Sequence, residues 1–195
     1  MGSKERITRK KNELQASIME VALDILSTEG IEAVSMRRIA NQIEYTAPII
    51  YCHYRNKEAL FLALLAHGYQ LLNKAVSEAV SMTSTSFVRL EQMMNCYLDF
   101  AIENRELYML MFRIGLVDPT SVTDLPEAAL FMRTIEREVA AYGVELGGQE
   151  DLDTTMSYFN LISLAHGMVS VNYFSNQFSK VELKKNLQKM LKSVF

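Results

Sequence analysis

Residues 35–60, SMRRIANQIEYTAPIIYCHYRNKEAL, decide the fold of this chain. Their first apolar residues follow the i, i+3, i+4, i+7 spacing of one helix face: Met36, Ile39, Ala40 and Ile43. Ser35 can cap this helix, and Thr46 can cap a second short helix that has Pro48 in its first turn. Asn56 can cap a third, longer helix. Two short helices joined by about three residues predict a helix-turn-helix.

The order of residues in this stretch resembles the DNA-binding domain of TetR-type (TetR/AcrR) transcriptional regulators. The resemblance covers about residues 12–70 and is carried by Ser35, Arg37, Ile39, Ala40, Thr46, Tyr51, His53, Tyr54, Lys57, Glu58 and Leu60. Glu44 departs from the pattern, because many members have glycine at this turn. A residue other than glycine at positive φ costs about 1 kcal/mol.

The resemblance implies which residues meet DNA. Tyr51 and Lys57 would contact phosphates, the first through its hydroxyl and the second through its charge beside a helix N-terminus. Arg37 or Arg38 can also reach a guanine. Further implied backbone contacts are Ser35, Arg37 and His53. The residues placed to face base edges, by methyl packing against thymine more than by bidentate hydrogen bonds, are Thr46, Ala47, Pro48 and Ile49.

Charge is unevenly distributed along the chain. The net charge of −3 over 195 residues argues against a protein that coats polyanions generally. Residues 1–11 nevertheless carry five basic side chains against Glu5: Lys4, Arg6, Arg9, Lys10 and Lys11. We expect a flexible basic N-terminal arm there, with some of its charges meeting phosphate; the alternative is a solvated, frayed terminus.

Outside this arm, proline-free tracts with helical periodicity predict an all-α protein of about nine helices. We expect a DNA-binding domain at residues 12–70 and a ligand-binding and dimerisation domain at residues 71–195. The clearest loop is predicted at residues 118–126, and a late helix at about residues 149–174. With two distant cysteines, no signal-like segment and no run of about 18 apolar residues, we expect a cytoplasmic protein without a membrane span.

The second half carries two shorter motifs, YMLMFRIG at residues 108–115 and Ala-His-Gly at residues 165–167. They resemble the C-terminal domain of the TetR branch with a late His-Gly pair, which implies a homodimer through the last two helices. The late helix is apolar all round, so more than one face must be buried, and small residues would allow close approach: Ser163, Ala165, Gly167 and Ser170. The alternative is a central core helix in a monomer.

Methionine and aromatic side chains suggest where an effector binds, because methionine adapts its shape to varied apolar ligands. The candidate pocket residues are Met93, Met94, Tyr97, Tyr108, Met111, Phe112, Met132, Phe159 and His166. Each of them taken singly also fits a plain core position. A ligand, if one binds, is expected to be small and apolar or amphipathic.

Three classes of function remain to be weighed. The favoured hypothesis is a dimeric repressor that a small effector releases from a palindromic double-stranded DNA operator. The second is a DNA-binding regulator that has no small effector or is controlled by a protein partner. An enzyme is disfavoured because there is no phosphate loop, nucleophile elbow or metal-ligand cluster, so no cofactor and no metal are predicted. Cys52 and His53 are adjacent but lack further ligands at suitable spacing.

Overall fold

A computed structural model of the protein describes residues 2–80, 85–113, 117–147 and 153–192, and every regular element in these ranges is helical. The prediction of an all-α fold is thus confirmed. In chain order the α-helices are α1 (Ser3–Glu29), α2 (Met36–Gln42), α3 (Ala47–His53), α4 (Lys57–Ala79), α5 (Ser86–Glu103), α6 (Arg105–Met111), α7 (Pro119–Thr123), α8 (Pro126–Glu145), α9 (Thr154–Ser175) and α10 (Lys180–Leu191). A short 3-10 turn, Ile31–Ala33, follows α1.

The described ranges hold ten α-helices, one more than the nine predicted. The additional helix is α7, which lies inside the segment 118–126 that the sequence predicted as a loop. Its start is fixed by Asp118, whose Oδ1 accepts hydrogen bonds from Thr120 N (2.9 Å) and Thr120 Oγ1 (2.7 Å). A one-turn helix of this kind has too few residues to show an apolar period.

The chain forms two compact units. The first comprises Met1–Gly68 and Arg105–Val122, and the second comprises Tyr69–Asn104 and Thr123–Phe195. Helix α4 contributes to both units, close to the boundary predicted at residue 70. Helix α6 belongs to the first unit, although the sequence placed it in the second domain. It packs on α1, and an added Cβ at Gly68 would lie only 2.7 Å from Met111 Sδ.

Helix α1 begins at Ser3, well before residue 12, so most of the segment predicted as an arm is helical. Gly2 N donates to Glu5 Oε2 (2.9 Å), which satisfies one of the backbone donors at the helix start. Arg9 and Glu13 then form an exposed i, i+4 ion pair at 3.4 Å. The helix ends at Glu29 and is followed by Gly30, whose φ of 82° suits glycine.

The core of the first unit consists of buried apolar faces of α1 to α4. The apolar spacing predicted for the short helix α2 is confirmed, since Met36, Ile39 and Ala40 are buried. They join residues from the neighbouring helices, namely Ile18, Ala22, Ile25, Leu26, Ile50, Leu60, Phe61, Leu64 and Leu65. This packing holds the short helices in place, because seven-residue helices are marginal on their own.

The core of the second unit lies among α5, α8, α9 and α10, which contact one another. Its largest side chains include Tyr97 and Phe131, whose rings stack with centroids 6.2 Å apart. Asp153 caps α9 by accepting from Met156 N (2.9 Å), so the described helix begins at Thr154. The start predicted near residue 149 lies outside the described residues. Within the described ranges, no helix has both the length and the apolar character needed to cross a membrane.

Candidate nucleic-acid interface

The turn between α2 and α3 sets the direction of both helices. Ser35 Oγ accepts a hydrogen bond from Arg38 N (3.3 Å) and caps α2 as predicted. Glu44 adopts a φ of 59° in the turn. This is the left-handed conformation, which is costly for a residue other than glycine. Tyr45 N then donates to Ala40 O (2.9 Å). Thr46 is the N-cap of α3 by position, but its side chain makes no capping hydrogen bond.

Helix α3 has one buried side and one exposed side. Ile50 and Tyr54 point into the core of the first unit. The hydroxyl of Tyr54 has no hydrogen-bond partner among the described residues. Pro48 and Tyr51 are exposed on the opposite side, Tyr51 by 50%. The short helix therefore presents a fixed outer surface while its inner surface is anchored.

The structure sorts the nine candidate DNA-contacting residues by exposure. The exposed ones are Arg37, Thr46, Pro48, Tyr51 and Lys57. The partly buried ones are Ser35, Ala47, Ile49 and His53. The Nδ1 atom of His53 is itself buried and has no partner within the described part of the chain. His53 therefore turns at least one ring nitrogen away from solvent, which is less suited to a phosphate contact than predicted.

The two neighbouring arginines of α2 differ. Arg38 forms an ion pair with Glu29 at the end of α1, whereas the side chain of Arg37 is exposed. An exposed ion pair of this kind contributes little stability, but it occupies the guanidinium of Arg38. Of the two alternatives that the sequence left open, Arg37 is the better placed to reach a ligand.

The start of α4 adds a positive charge beside this surface. Asn56 Oδ1 accepts from Ala59 N (2.8 Å), so the predicted cap is confirmed. Lys57 follows directly, with Nζ 5.0 Å from the ring centroid of Phe61. This contact orients the lysine stem while the side chain remains exposed. The free N–H groups of the helix terminus and the lysine charge together favour an anion here.

Sequence reasoning missed Cys52 as a surface residue of α3. Its thiol is free and the residue is exposed, four residues after Pro48 and next to Tyr51. The helical period alone places it on the outer side once Ile50 is assigned to the core. Cys52 was considered only for metal binding, and no group of three or more His, Cys, Asp or Glu among the described residues is arranged to hold a metal.

The candidate effector residues are divided between the two units. Tyr108, Met111 and Phe112 belong to the first unit, where the rings of Tyr108 and Phe112 pack with centroids 4.8 Å apart. The others belong to the second unit: Met93, Met94, Tyr97, Met132, Phe159 and His166. Phe159 is 63% exposed on α9, so it lines no interior site. That these nine residues line one effector pocket stays a prediction.

Of these candidates, Met93 lines a cleft in the second unit with a volume of about 320 Å³. We name it the α4–α5–α8 cleft after the helices that form it. Its apolar wall comprises Val76, Val80, Met93 and Leu130, and its polar lining comprises Asn73, Ser77, Thr134, Arg137 and Glu138. His166 lies elsewhere, on α9, with Nε2 3.2 Å from Ser170 Oγ, and burial lowers the pKa of its imidazole.

Helix α9 exposes a long apolar strip. Leu161, Ala165 and Val169 are buried. The exposed strip on the other side recurs at helical spacing and comprises Met156, Phe159, Ser163, Gly167, Val171 and Phe174. A Cβ added at Gly167 would meet no atom within 4 Å, so the backbone there is open to close approach. Two of the four small residues predicted for helix contact therefore face outward, while Ala165 is buried and Ser170 partly so.

Two family models match the chain. The model of bacterial regulatory proteins of the tetR family matches residues 18–64. The model of the tetracyclin repressor-like C-terminal domain matches residues 90–193, which is more than half of the chain. The chain belongs to the TetR family. The first match contains the whole of α2 and α3, and the second contains α8, α9 and α10 of this TetR-family chain.

Curated relatives of this TetR-family chain match over shorter lengths. The HTH-type transcriptional activator FasR of Mycolicibacterium smegmatis is 26% identical over 112 residues, which cover 57% of this chain and 51% of FasR. The class C tetracycline repressor protein of Escherichia coli is 37% identical over 54 residues, covering 27% of this chain and 25% of the relative. The alignments thus span about half or less of these relatives.

Solved structures match over almost the full length. FadR of Bacillus subtilis, solved in complex with stearoyl-CoA, superposes with a TM-score of 0.74 at 15% identity, covering 93% of this chain and 99% of that one. A protein of unknown function from Rhodococcus sp. RHA1 gives a TM-score of 0.72 at 21% identity, covering 91% and 93% of the two chains. At these identities the likeness establishes the fold of the TetR-family chain.

Proposed function

We propose that this chain is a homodimeric, sequence-specific DNA-binding regulator of transcription that acts in the cytoplasm. It represses from a palindromic operator and is released by a small apolar or amphipathic effector. The domain that binds DNA is assigned to residues 12–70, with help from the basic residues before it, and the effector and dimer functions to residues 71–195. The relatives do not decide the direction of regulation, since FasR is named an activator and the class C protein a repressor.

The observation that carries this proposal is that α3 has one buried side and one exposed side. Its inner side chains, Ile50 and Tyr54, are buried in the first unit, so the helix is held rigidly by its neighbours. Its outer side presents Pro48 and Tyr51 to solvent. A short helix supported in this way can enter a major groove without losing its own contacts.

The proposed contacts divide into two groups. Tyr51 and Lys57 bind phosphates through a hydroxyl and an ammonium group, and Arg37 adds an exposed guanidinium. Ser35 and His53 are retained as weaker backbone contacts. The base-facing group is Thr46, Ala47, Pro48 and Ile49. Thr46 and Pro48 are exposed and can reach base edges directly, whereas Ala47 and Ile49 are partly buried and would contribute methyl contacts at the margin of the interface.

The exposed strip of α9 supports the dimer. A phenylalanine such as Phe174, which is 94% exposed, leaves a large apolar area in water unless another surface covers it. A second copy can cover it through the same strip, because a twofold interface pairs one patch with itself. Two copies of α3 spaced by about 34–36 Å would then read successive major grooves of a palindrome.

Effector control is proposed to act through α4, since this helix contributes to both compact units. A ligand that prefers one arrangement of the helices shifts the equilibrium by its differential affinity for the two states. FadR, whose fold is similar, was solved with stearoyl-CoA, so an amphipathic effector has a precedent in this fold. The alternative, a regulator without a small effector or one controlled by a protein partner, is favoured by the tight burial of Met94 and Tyr97.

Selection of bound duplexes from a random DNA pool tests the proposal. We expect enrichment of a palindrome whose half-sites are separated by about one helical turn or a multiple of it. The test variant Tyr51→Ala should lose enrichment. The control variant Lys185→Ala, at an exposed position on α10, should retain it. If a dimer free of bound ligand by native mass spectrometry enriches no sequence, the proposed function is wrong.

A further inference from the structure

The α4–α5–α8 cleft combines an apolar wall with a buried charge. Val76, Val80 and Met93 form part of the wall, and Glu138 lies in the lining. The volume of about 320 Å³ is at the small end of the range of ligand pockets, about 300–1,000 Å³. Glu138 is only 3% exposed. A buried carboxylate is costly unless its oxygens are paired, so its partners define what the cleft can bind.

The uncharged polar side chains of the cleft have hydrogens committed to backbone carbonyls. Asn73 Nδ2 donates to Glu127 O (2.9 Å). Ser77 Oγ donates to Lys74 O (2.8 Å), and Thr134 Oγ1 donates to Leu130 O (2.8 Å). A hydroxyl that has given its single hydrogen retains only acceptor lone pairs. Ser77 and Thr134 therefore offer acceptors to any molecule in the cleft.

The two carboxylate oxygens of Glu138 are unequally paired. Oε2 accepts from Arg89 Nε at 2.7 Å, and the Arg89 side chain is itself largely buried. Oε1 is approached by Arg137 Nη2 at 3.4 Å, from a side chain that is 69% exposed. A long contact to a solvated guanidinium is weak. Oε1 is thus the atom of Glu138 that a donor in the cleft can best engage.

We propose that the α4–α5–α8 cleft binds a small amphipathic amine. Its apolar body packs against Val76 and Met93, and its ammonium group donates to Glu138 Oε1 and to the acceptor lone pairs of Thr134 and Ser77. A fatty-acid anion of the same length would instead bring a second carboxylate against Glu138. The role of the amine as the effector rests on the proposed function. Its binding to the cleft does not, because that binding requires no DNA.

Calorimetric titration of the full chain with three eight-carbon probes tests the head-group preference. Octylamine, octan-1-ol and octanoate have the same apolar tail and differ in charge and donor capacity. We expect octylamine to bind at least about tenfold more tightly than octan-1-ol, equivalent to about 1.4 kcal/mol, and octanoate to bind more weakly than both. Equal affinities, a preference for octanoate, or no binding of octylamine at millimolar concentration would overturn the assignment.

Variants that are expected to change octylamine binding in opposite directions test whether the cleft is the binding site. Glu138→Gln should abolish the preference for octylamine over octan-1-ol, and Arg137→Gln should strengthen octylamine binding severalfold by removing the competing guanidinium. Because Glu138→Gln leaves Arg89 buried beside a neutral group and can impair folding, Thr134→Val gives a milder test. It should weaken octylamine about threefold and leave octan-1-ol unchanged. Octylamine affinity that stays unchanged in both Arg137→Gln and Thr134→Val contradicts the site.

The variant Glu13→Gln is the control for a general attraction of cations to an acidic protein. It removes one negative charge from an exposed position on α1. This variant should bind octylamine as the wild type does, and an equal loss here would refute a specific site. The two proposals also fail separately. A chain that selects an operator but prefers octanoate overturns only the amine assignment, whereas one that prefers octylamine but selects no operator overturns only the regulator.

Discussion

Helices α3 and α9 both bury one side and expose another, but their exposed sides differ in chemistry. The seven residues of α3 present Pro48 and Tyr51, a rigid ring and a hydroxyl-bearing one. The 22 residues of α9 present a strip that includes Phe159, Val171 and Phe174. A surface that can donate hydrogen bonds suits a polar partner, while an apolar strip is stabilised only by being covered. The same amphipathic principle therefore gives two different kinds of interface.

The largest expected effect tests the apolar strip. The double variant Phe159→Glu/Phe174→Glu places charges where the proposed dimer buries phenylalanine side chains, each worth about 1.5–3 kcal/mol. We expect the dimer to dissociate at least about 100-fold more readily, or about 2.8 kcal/mol, measured by sedimentation equilibrium. Operator affinity should fall with it, because one copy of α3 reads only a half-site.

Val144→Glu is the control, since Val144 is an apolar residue of α8 that lies outside the strip and whose exposure lies between those of Phe159 and Phe174. It should leave the association constant unchanged. A double variant that remains as dimeric as the wild type would exclude the strip of α9 as the interface, whatever the DNA affinity.

The next effect tests the surface around α3. Lys57→Ala should weaken binding to all DNA sequences by about the same factor and lower the salt-dependence slope by about 1, as expected for one lost phosphate contact. Tyr51→Phe should weaken binding about two- to twelvefold, the worth of one hydrogen bond of about 0.5–1.5 kcal/mol, with little change in slope. Fluorescence anisotropy across a salt series measures both quantities.

Lys185→Ala removes an equivalent exposed charge from α10 and should leave both the affinity and the slope unchanged. If neither Tyr51→Phe nor Lys57→Ala lowers operator affinity, the proposed docking of α3 is incorrect. A loss confined to one DNA sequence would instead mean that these side chains read bases.

The sequence predicted the region around α3 in detail because its signals are local. Ser35 and Asn56 act within three residues of their partners, at 3.3 Å and 2.8 Å. The cost assigned to Glu44 corresponds to an observed positive φ. Such contacts depend on the backbone conformation of one turn, which residue type and spacing largely determine.

The sequence could not predict in the same way which residues of the second half are buried and which are exposed. Helix α9 is apolar all round, so periodicity could not tell the buried Leu161 from the exposed Phe159. Tyr108 and Tyr97 are equally buried, yet they belong to different units. The pair of Arg89 and Glu138 joins residues on separate helices, and no local pattern predicts it. These features depend on which helix faces which, and that is decided by tertiary packing.

The smallest expected effect compares two helix caps of the same region. Asn56→Ala should lower the free energy of unfolding by about 1 kcal/mol, since it removes the 2.8 Å hydrogen bond to Ala59 N at the start of α4. Thr46→Ala should cost only a few tenths of a kcal/mol, because the Thr46 side chain makes no capping hydrogen bond. Urea unfolding followed by circular dichroism, without DNA, measures both.

Asn56→Asp keeps a capping oxygen and adds a negative charge at a helix N-terminus, so it should be at least as stable as the wild type. This control separates the lost cap from any other effect of changing residue 56. Equal destabilisation by Thr46→Ala and Asn56→Ala would mean that α3 is capped in solution by the Thr46 hydroxyl. The Thr46 side chain would then be held against its own helix and could not contact a base edge. Pro48 would be left as the one exposed residue of the proposed base-facing group.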